Sequence, residues 1–498
     1  MFITVIVIYF LLLLGVSRLT ASRSNNNIFF RGERQSPWYL VAFGMVGASI
    51  SGITFVSVPG MVIGSGMSYL YTCLGFIFGY FVVAFLLLPV YYRYNFTTIY
   101  SLLKPLGQSA YKTGSSFFLI SKMTGAAARF YVPCYIIYQS IFGRHDSAAG
   151  LMDSDNLVFL LTVCAMVMLI WVYTRRGGIK TLVWTDTMQT FCMFSALILI
   201  IYNVSGQLFP DASGAGAVIE SVRGVFSQNT IDLKFNAEGR VMSFLSGIFI
   251  VIVMTGLDQD MMQKNLTCRT LYDAQKDMCF YGFAFVPANF LFLLLGVMLC
   301  MLCTQRGMAL PSKPDELLPM FAATGELGGT VLILFAIGIV AAAFSSADSA
   351  LTALTTCCCI DILGMKVNGD GREIHNERVR KRVHLCMALI FIVCIMLFHT
   401  FNTTSLIDAI YRLCSYTYGP LLGLFVFALV HNGEGKEFGF SVPLICICSP
   451  LICFALDYYV PLWTGYHFGY ELLMVNGLLT YAPLAVLNRI KQTENEIS

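Results

Sequence analysis

Ala342, Ser345, Ser346 and Ser349 recur at i, i+3, i+4 and i+7 in GIVAAAFSSADSALTALTT, so a helix through this stretch carries them on one stripe. Thr352 and Thr356 continue near it. Hydroxyl and carbonyl oxygens in that arrangement suit a hard cation such as sodium. The same hydroxyls can bond their own i−4 carbonyls, so the stripe alone leaves both readings open. A second candidate lies upstream, where Gly44, Gly47, Gly52 and the pair Pro59-Gly60 are interleaved with Ser49, Ser51, Thr54 and Ser57. An interrupted membrane helix exposes backbone to ions or solutes. Small residues also serve close helix packing. The hydroxyls beside the helix-breaking Pro-Gly favour a site.

Charged residues inside apolar stretches add further chemistry. Arg129, in GAAARFYVP, offers a planar fork suited to a carboxylate. Lys122 lies seven residues earlier on the same helical face. The alternative is that Arg129 pairs with an internal acid such as Asp348 while Lys122 snorkels toward the cytoplasm. Asp186 is a carboxylate in an apolar helix, which reads as functional unless it has a structural partner. Asp408 and Arg412, at i and i+4, can neutralise each other and read as a structural or gating pair. Gly419-Pro420 is a candidate hinge just beyond them.

The elements that must position these residues are membrane helices. Of 498 residues, 57% are hydrophobic and 12% charged, and the mean hydropathy is +0.73. Apolar runs of crossing length recur throughout, and about thirteen helices are expected from them. The helices that carry the candidate residues are expected at 38–64, 111–143, 182–204, 241–263, 327–363 and 403–431. Most of the 31 Lys and Arg residues, Lys264 and Arg380 among them, fall on one set of loops. The positive-inside rule then puts the N-terminus outside and the C-terminus in the cytoplasm, with the first helix read as a signal anchor.

The whole chain reads as one transmembrane transporter domain. Residues 1–37 form an N-terminal helix and linker, 38–204 a first repeat, 241–431 a second repeat, and 437–498 two further helices and a short tail. The interrupted helix at 38–64 has its counterpart in 241–263, where Gly247 and Gly256 precede the polar stretch TGLDQDMMQK. The net charge of +3 reflects topology and implies no nucleic-acid partner. The 17 cysteines lie mostly in apolar runs and behave as small hydrophobes, and the six histidines lack metal-ligand spacing. A nucleophile and base arrangement for an enzyme is not apparent.

Two motifs make a resemblance specific. TRRGGIKTLVWTDTMQ at 174–189 is similar to the segment entering the fifth core helix of the solute:sodium symporter family, and AAAFSSADSALTALTT resembles that family's eighth core helix. The motif character is nearest to the sialic acid and monocarboxylate members. The resemblance implies an all-α, LeuT-type 5+5 inverted repeat with one helix before the ten-helix core and two after it. It also implies a common sodium site built from the carbonyls of Gly47, Ile50 and Ala342 with the hydroxyls of Ser345 and Ser346. A possible second sodium site falls on Asp186, Ser345, Ser349 and the backbone of Asp348. Ser49, Ser51 and Thr54 match positions that contact solute, and Arg129 matches the arginine that holds the acid group of the solute.

The function so implied is sodium-coupled import of a small organic solute across the cell membrane by alternating access. An anionic carboxylate such as sialic acid or a monocarboxylate is the expected solute, with sodium as the coupling ion, the bilayer as surroundings and no obligate protein partner evident. A sugar or proline symporter is the rival within transport. A membrane sensor of the same fold is the rival outside it, and would need a partner to supply the output domain not read in this chain.

Overall fold

Within a bilayer the backbone must satisfy its own hydrogen bonds, and long apolar runs therefore become helices. The computed structural model describes residues 2–20, 26–142, 154–212, 214–227, 237–322, 327–366, 373–401, 406–431 and 438–497, and among them no β-strand forms.

The chain runs through α1 (Phe2–Thr20), α2 (Trp38–Ser49), α3 (Gly52–Ser65), α4 (Tyr69–Arg93), α5 (Gln108–Phe142), α6 (Asn156–Arg175) and α7 (Gly177–Leu208). It continues through α8 (Val241–Gly256), α9 (Gln259–Asn265), α10 (Leu271–Arg306), α11 (Gly329–Ile362), α12 (Asn376–Thr400), α13 (Leu406–Val430), α14 (Ser441–Thr464) and α15 (Leu472–Ile490). Nine unbroken helices among the described residues are long and apolar enough to cross a membrane, and the spans number 11 when each bent pair is one. The two other expected spans, α1 and α5, do not meet that measure; α5 carries Lys112, Lys122 and Arg129 along its length.

Both expected interruptions are present. The axes of α2 and α3 differ by 61°, and those of α8 and α9 by 70°. The first break is at Ile50-Ser51 and not at Pro59-Gly60. Ile50 leaves the helical region at φ −83°, ψ 92°, and Ser51 caps α3 by accepting the Thr54 N–H at 3.5 Å. Pro59 sits inside α3. A Cβ on Gly60 would overlap the Pro314 carbonyl, and one on Gly296 would overlap the Pro59 carbonyl, so this part of α3 uses small residues for close packing.

The second break follows a wide turn at Ile252–Gly256, after which Asp258 caps α9 by accepting the Asp260 N–H at 2.8 Å. Gly178, at φ 49°, turns the chain sharply between α6 and α7 in a conformation that favours glycine. Gly419-Pro420 produces no break, because α13 runs through it and Gly419 packs directly on Asn476.

Candidate functional site

The break after Ser49 puts backbone oxygens opposite the hydroxyl stripe of α11. The Ile50 N–H donates to the Val46 carbonyl at 3.2 Å, the last bond of the first half, so the carbonyls that follow lose their regular helical partners. The Ser346 hydroxyl reaches both sides of the gap, lying 3.2 Å from the Ala48 carbonyl on α2 and 3.2 Å from the Ala342 carbonyl one turn back on α11. Ser345 donates to Asp186 at 2.8 Å, which leaves the lone pairs of its oxygen available to a cation. Gly47 permits close packing of α2 on α7, since a Cβ there would overlap Thr190. Gly47, Ile50, Ala342, Ser345 and Ser346 are thereby carried on two helices that Ser346 joins at the break.

Asp186 has a partner that sequence reasoning placed elsewhere. Lys264, assigned to a cytoplasmic loop by charge counting, is 1% exposed, and its ammonium lies 2.8 Å from the Asp186 carboxylate, itself 0% exposed. The short helix α9 turns back after the 70° break and brings Lys264 against α7. Ser349 donates toward the same carboxylate at 3.5 Å. Asp348 is separate from both Arg129 and the lysines in its direct bonds: it accepts the Tyr173 hydroxyl at 2.6 Å and the Ser349 hydroxyl at 3.3 Å.

Lys122 does not snorkel. Its ammonium is held between Asp258 at 2.9 Å and Asp260 at 2.7 Å, and the Tyr418 hydroxyl on α13 donates to Asp258 at 2.9 Å. Asp260 also stands 4.0 Å from Lys264, so acids and ammoniums alternate from Asp258 through Lys122, Asp260 and Lys264 to Asp186. Alternation of this kind lets each buried charge be compensated by its neighbours. Sequence reading missed Asp258, Asp260 and Lys264 as site residues. The signal was present in TGLDQDMMQK, whose Asp260 and Lys264 are one turn apart within an interrupted membrane helix.

A cavity of about 110 Å³ opens beside the first break. Ser49, Ser51, Thr54 and Arg129 all line it, joined by Lys122 and Asp260. The Ser49 hydroxyl is hydrogen bonded to that of Tyr281, whose ring stands 4.4 Å from that of Tyr80. Among the described residues no carboxylate lies within ion-pair distance of Arg129. Ser346 and Ala48 also border the cavity, so the gap between α2 and α11 communicates with it.

The expected pairing of Asp408 with Arg412 is seen from the Arg412 side alone. Arg412 lies 3.5 Å from Asp457 on α14, which also accepts the Tyr416 hydroxyl at 2.6 Å. The side chain of Asp408 lies outside the described residues. Arg380 is fully buried, its guanidinium 4.4 Å from the centre of the Phe29 ring, so this expected loop cation also packs inside the protein.

Residues 29–433 match the profile of the sodium:solute symporter family. The sodium/sialic acid symporter NanT of Aliivibrio fischeri is 24% identical over 421 residues, 80% of this chain and 77% of that protein. The sodium/sialic acid symporter SiaT of Proteus mirabilis is 21% identical over 442 residues, 84% of this chain and 83% of that protein. The human sodium/iodide cotransporter is 24% identical over 246 residues, which span 49% of this chain and only 36% of that protein. In three dimensions the chain superposes on a substrate-bound, outward-open Na+-coupled sialic acid symporter with TM-score 0.79 at 17% identity, covering 97% of this chain and 96% of the other. A nucleobase-cation-symport-1 family transporter has the related fold at TM-score 0.60 and 13% identity, with 95% and 96% covered.

Proposed function

The chain belongs to the sodium:solute symporter family, and on that premise we propose that it is a sodium-coupled symporter importing a small organic carboxylate by alternating access. The observation that carries the sodium assignment is Ser346, whose hydroxyl meets the Ala48 carbonyl at the α2 break and the Ala342 carbonyl on α11. A sodium ion held by the Gly47, Ile50 and Ala342 carbonyls and the Ser345 and Ser346 hydroxyls ties these helices together and closes the gap beside the cavity. Coupling follows because sodium and solute each favour the state in which α2 and α11 are joined.

Arg129 supports the carboxylate. It is a cation in the cavity wall with no acid within ion-pair distance among the described residues, whereas Lys122 is already shared by two aspartates. The solute acid group docks on the Arg129 fork, with Ser49, Ser51 and Thr54 supplying hydroxyls at the break. A zwitterion such as proline is the second reading, favoured by Asp260, a carboxylate residue that lines the cavity together with Arg129. The two broken helices stand at corresponding places in the proposed repeats, 38–204 and 241–431. The protein is placed in the cell membrane with its N-terminus outside and its C-terminus in the cytoplasm.

Uptake of labelled sialic acid, lactate, proline and galactose into proteoliposomes, with and without an inward sodium gradient, tests the reading. Sodium-stimulated uptake of an acid is expected. Equal uptake of every compound in sodium and in choline would overturn it.

A further inference from the structure

Asp186 lies where the family resemblance implies a possible second sodium ion, with Ser345 and Ser349 as its hydroxyl partners. Each carboxylate oxygen there already has a partner. Oδ1 accepts the Ser345 hydroxyl at 2.8 Å, and Oδ2 lies 2.8 Å from the Lys264 ammonium and 3.5 Å from the Ser349 hydroxyl. The neighbouring carboxylate of Asp348 is likewise occupied, by Tyr173 on Oδ2 and Ser349 on Oδ1. The Ser345 proton points at Asp186, the single Ser349 proton is shared between Asp186 and Asp348, and among the described residues the cation within ion-pair distance of Asp186 is the Lys264 ammonium.

We propose that the Lys264 ammonium is a tethered cation that takes the place of a second sodium ion at Asp186, so that the protein binds and carries one sodium per cycle. The inference rests on the symport reading and goes beyond it by fixing the ion count.

Burial supports the exchange of ion for side chain. Asp186 is 0% and Lys264 1% exposed, and neither lines the solute cavity, although Asp260 and Met261 do. A carboxylate so enclosed needs a positive charge beside it, and Lys264 supplies one that never leaves. A sodium ion entering the same place would face the ammonium across a single carboxylate in surroundings with little water to screen the two like charges. The first site has no such obstacle. Its Ser346 hydroxyl borders the cavity, as does Ala48, whose carbonyl that hydroxyl meets, and Lys264 stands against Asp186 Oδ2 while Ser345 donates to Oδ1. Lys264 also stands 4.0 Å from Asp260, whose other oxygen holds Lys122, so the tethered cation is built into the same charge network that borders the solute.

Equilibrium binding of radioactive sodium to the purified full-length protein tests this without a known solute. One ion per protein with a Hill coefficient near one is expected. Two ions per protein overturn the inference while leaving symport intact, and no bound sodium overturns the symport reading itself and this inference with it. Lys264→Gln, checked for a monodisperse profile, is expected to bind two ions. A folded Lys264→Gln protein that still binds one overturns the role given to the ammonium. Should that variant fail to fold, the wild-type count decides, and Ser346→Ala is expected to lose the single ion.

Discussion

The decisive residues are charges that compensate one another out of water. Asp186 and Lys264 are each almost wholly enclosed and stand 2.8 Å apart, so removing one partner leaves the other uncompensated. Breaking such a buried pair costs about 3 to 5 kcal/mol. Asp186→Asn is therefore expected to lower the melting temperature sharply, and Asp186→Asn combined with Lys264→Met to recover most of the loss, measured by thermal unfolding in detergent. Equal loss in the single and double variants would show that the pair is not coupled. Arg129 differs because no acid compensates it among the described residues and it borders the cavity. A charge-assisted contact of about 1.5 to 3 kcal/mol corresponds to roughly a 10- to 100-fold change in affinity. Arg129→Ala should raise the half-saturating concentration of a carboxylate solute by that factor and leave sodium binding little changed. Unaltered uptake kinetics for every acid would remove the clamp.

At the scale of elements, the two bends determine where oxygens and charges converge. The α2–α3 break at Ile50-Ser51 faces the Ser346 hydroxyl, and the α8–α9 break folds Lys264 back against α7. Pro59 lies in α3 beyond the first break. Pro59→Ala is expected to retain sodium-stimulated uptake within about twofold, since it restores a helical N–H in a segment that is already helical; abolished uptake would return the functional break to Pro59-Gly60. Gly47→Ala should have the opposite outcome. The added methyl meets Thr190, whose hydroxyl donates to the Asp186 carbonyl at 2.6 Å, and forces α2 away from α7. Overpacking of this kind costs about 1 to 3 kcal/mol, and sodium affinity read from uptake should fall about tenfold or more.

For the whole molecule, ion count and solute charge together decide how the membrane potential acts. Moving one charge through 100 mV is worth about 2.3 kcal/mol. One sodium carried with a monocarboxylate transfers no net charge, so uptake should follow the sodium gradient and remain insensitive to an imposed potassium diffusion potential. A neutral or zwitterionic solute would make the same cycle carry one positive charge and respond to inside-negative potential. Uptake assays with valinomycin separate these cases, and strongly potential-driven uptake of a monocarboxylate would contradict the one-sodium count.

Local rules in the sequence were sufficient for several of these features. Hydropathy marks the apolar segments, helical spacing puts Ser345, Ser346 and Ser349 on one stripe, and glycine with polar residues marks both interrupted helices. Ser49, Ser51, Thr54 and Arg129 were also legible as a group, from family likeness, and they share one cavity wall. The position of the first break was less legible, because Pro59-Gly60 carries the composition of a break but serves packing against α10 and the Pro314 backbone. Lys264 was misplaced for a similar reason. It follows an apolar helix, as cytoplasmic lysines do, and the positive-inside rule has no means of detecting that a 70° bend returns it to the interior. Sequence thus determined which residue types each helix presents, since periodicity acts within an element. Tertiary structure decided which charges meet, because the partnership of Asp186 with Lys264 and of Lys122 with Asp258 and Asp260 depends on packing between helices far apart in the chain.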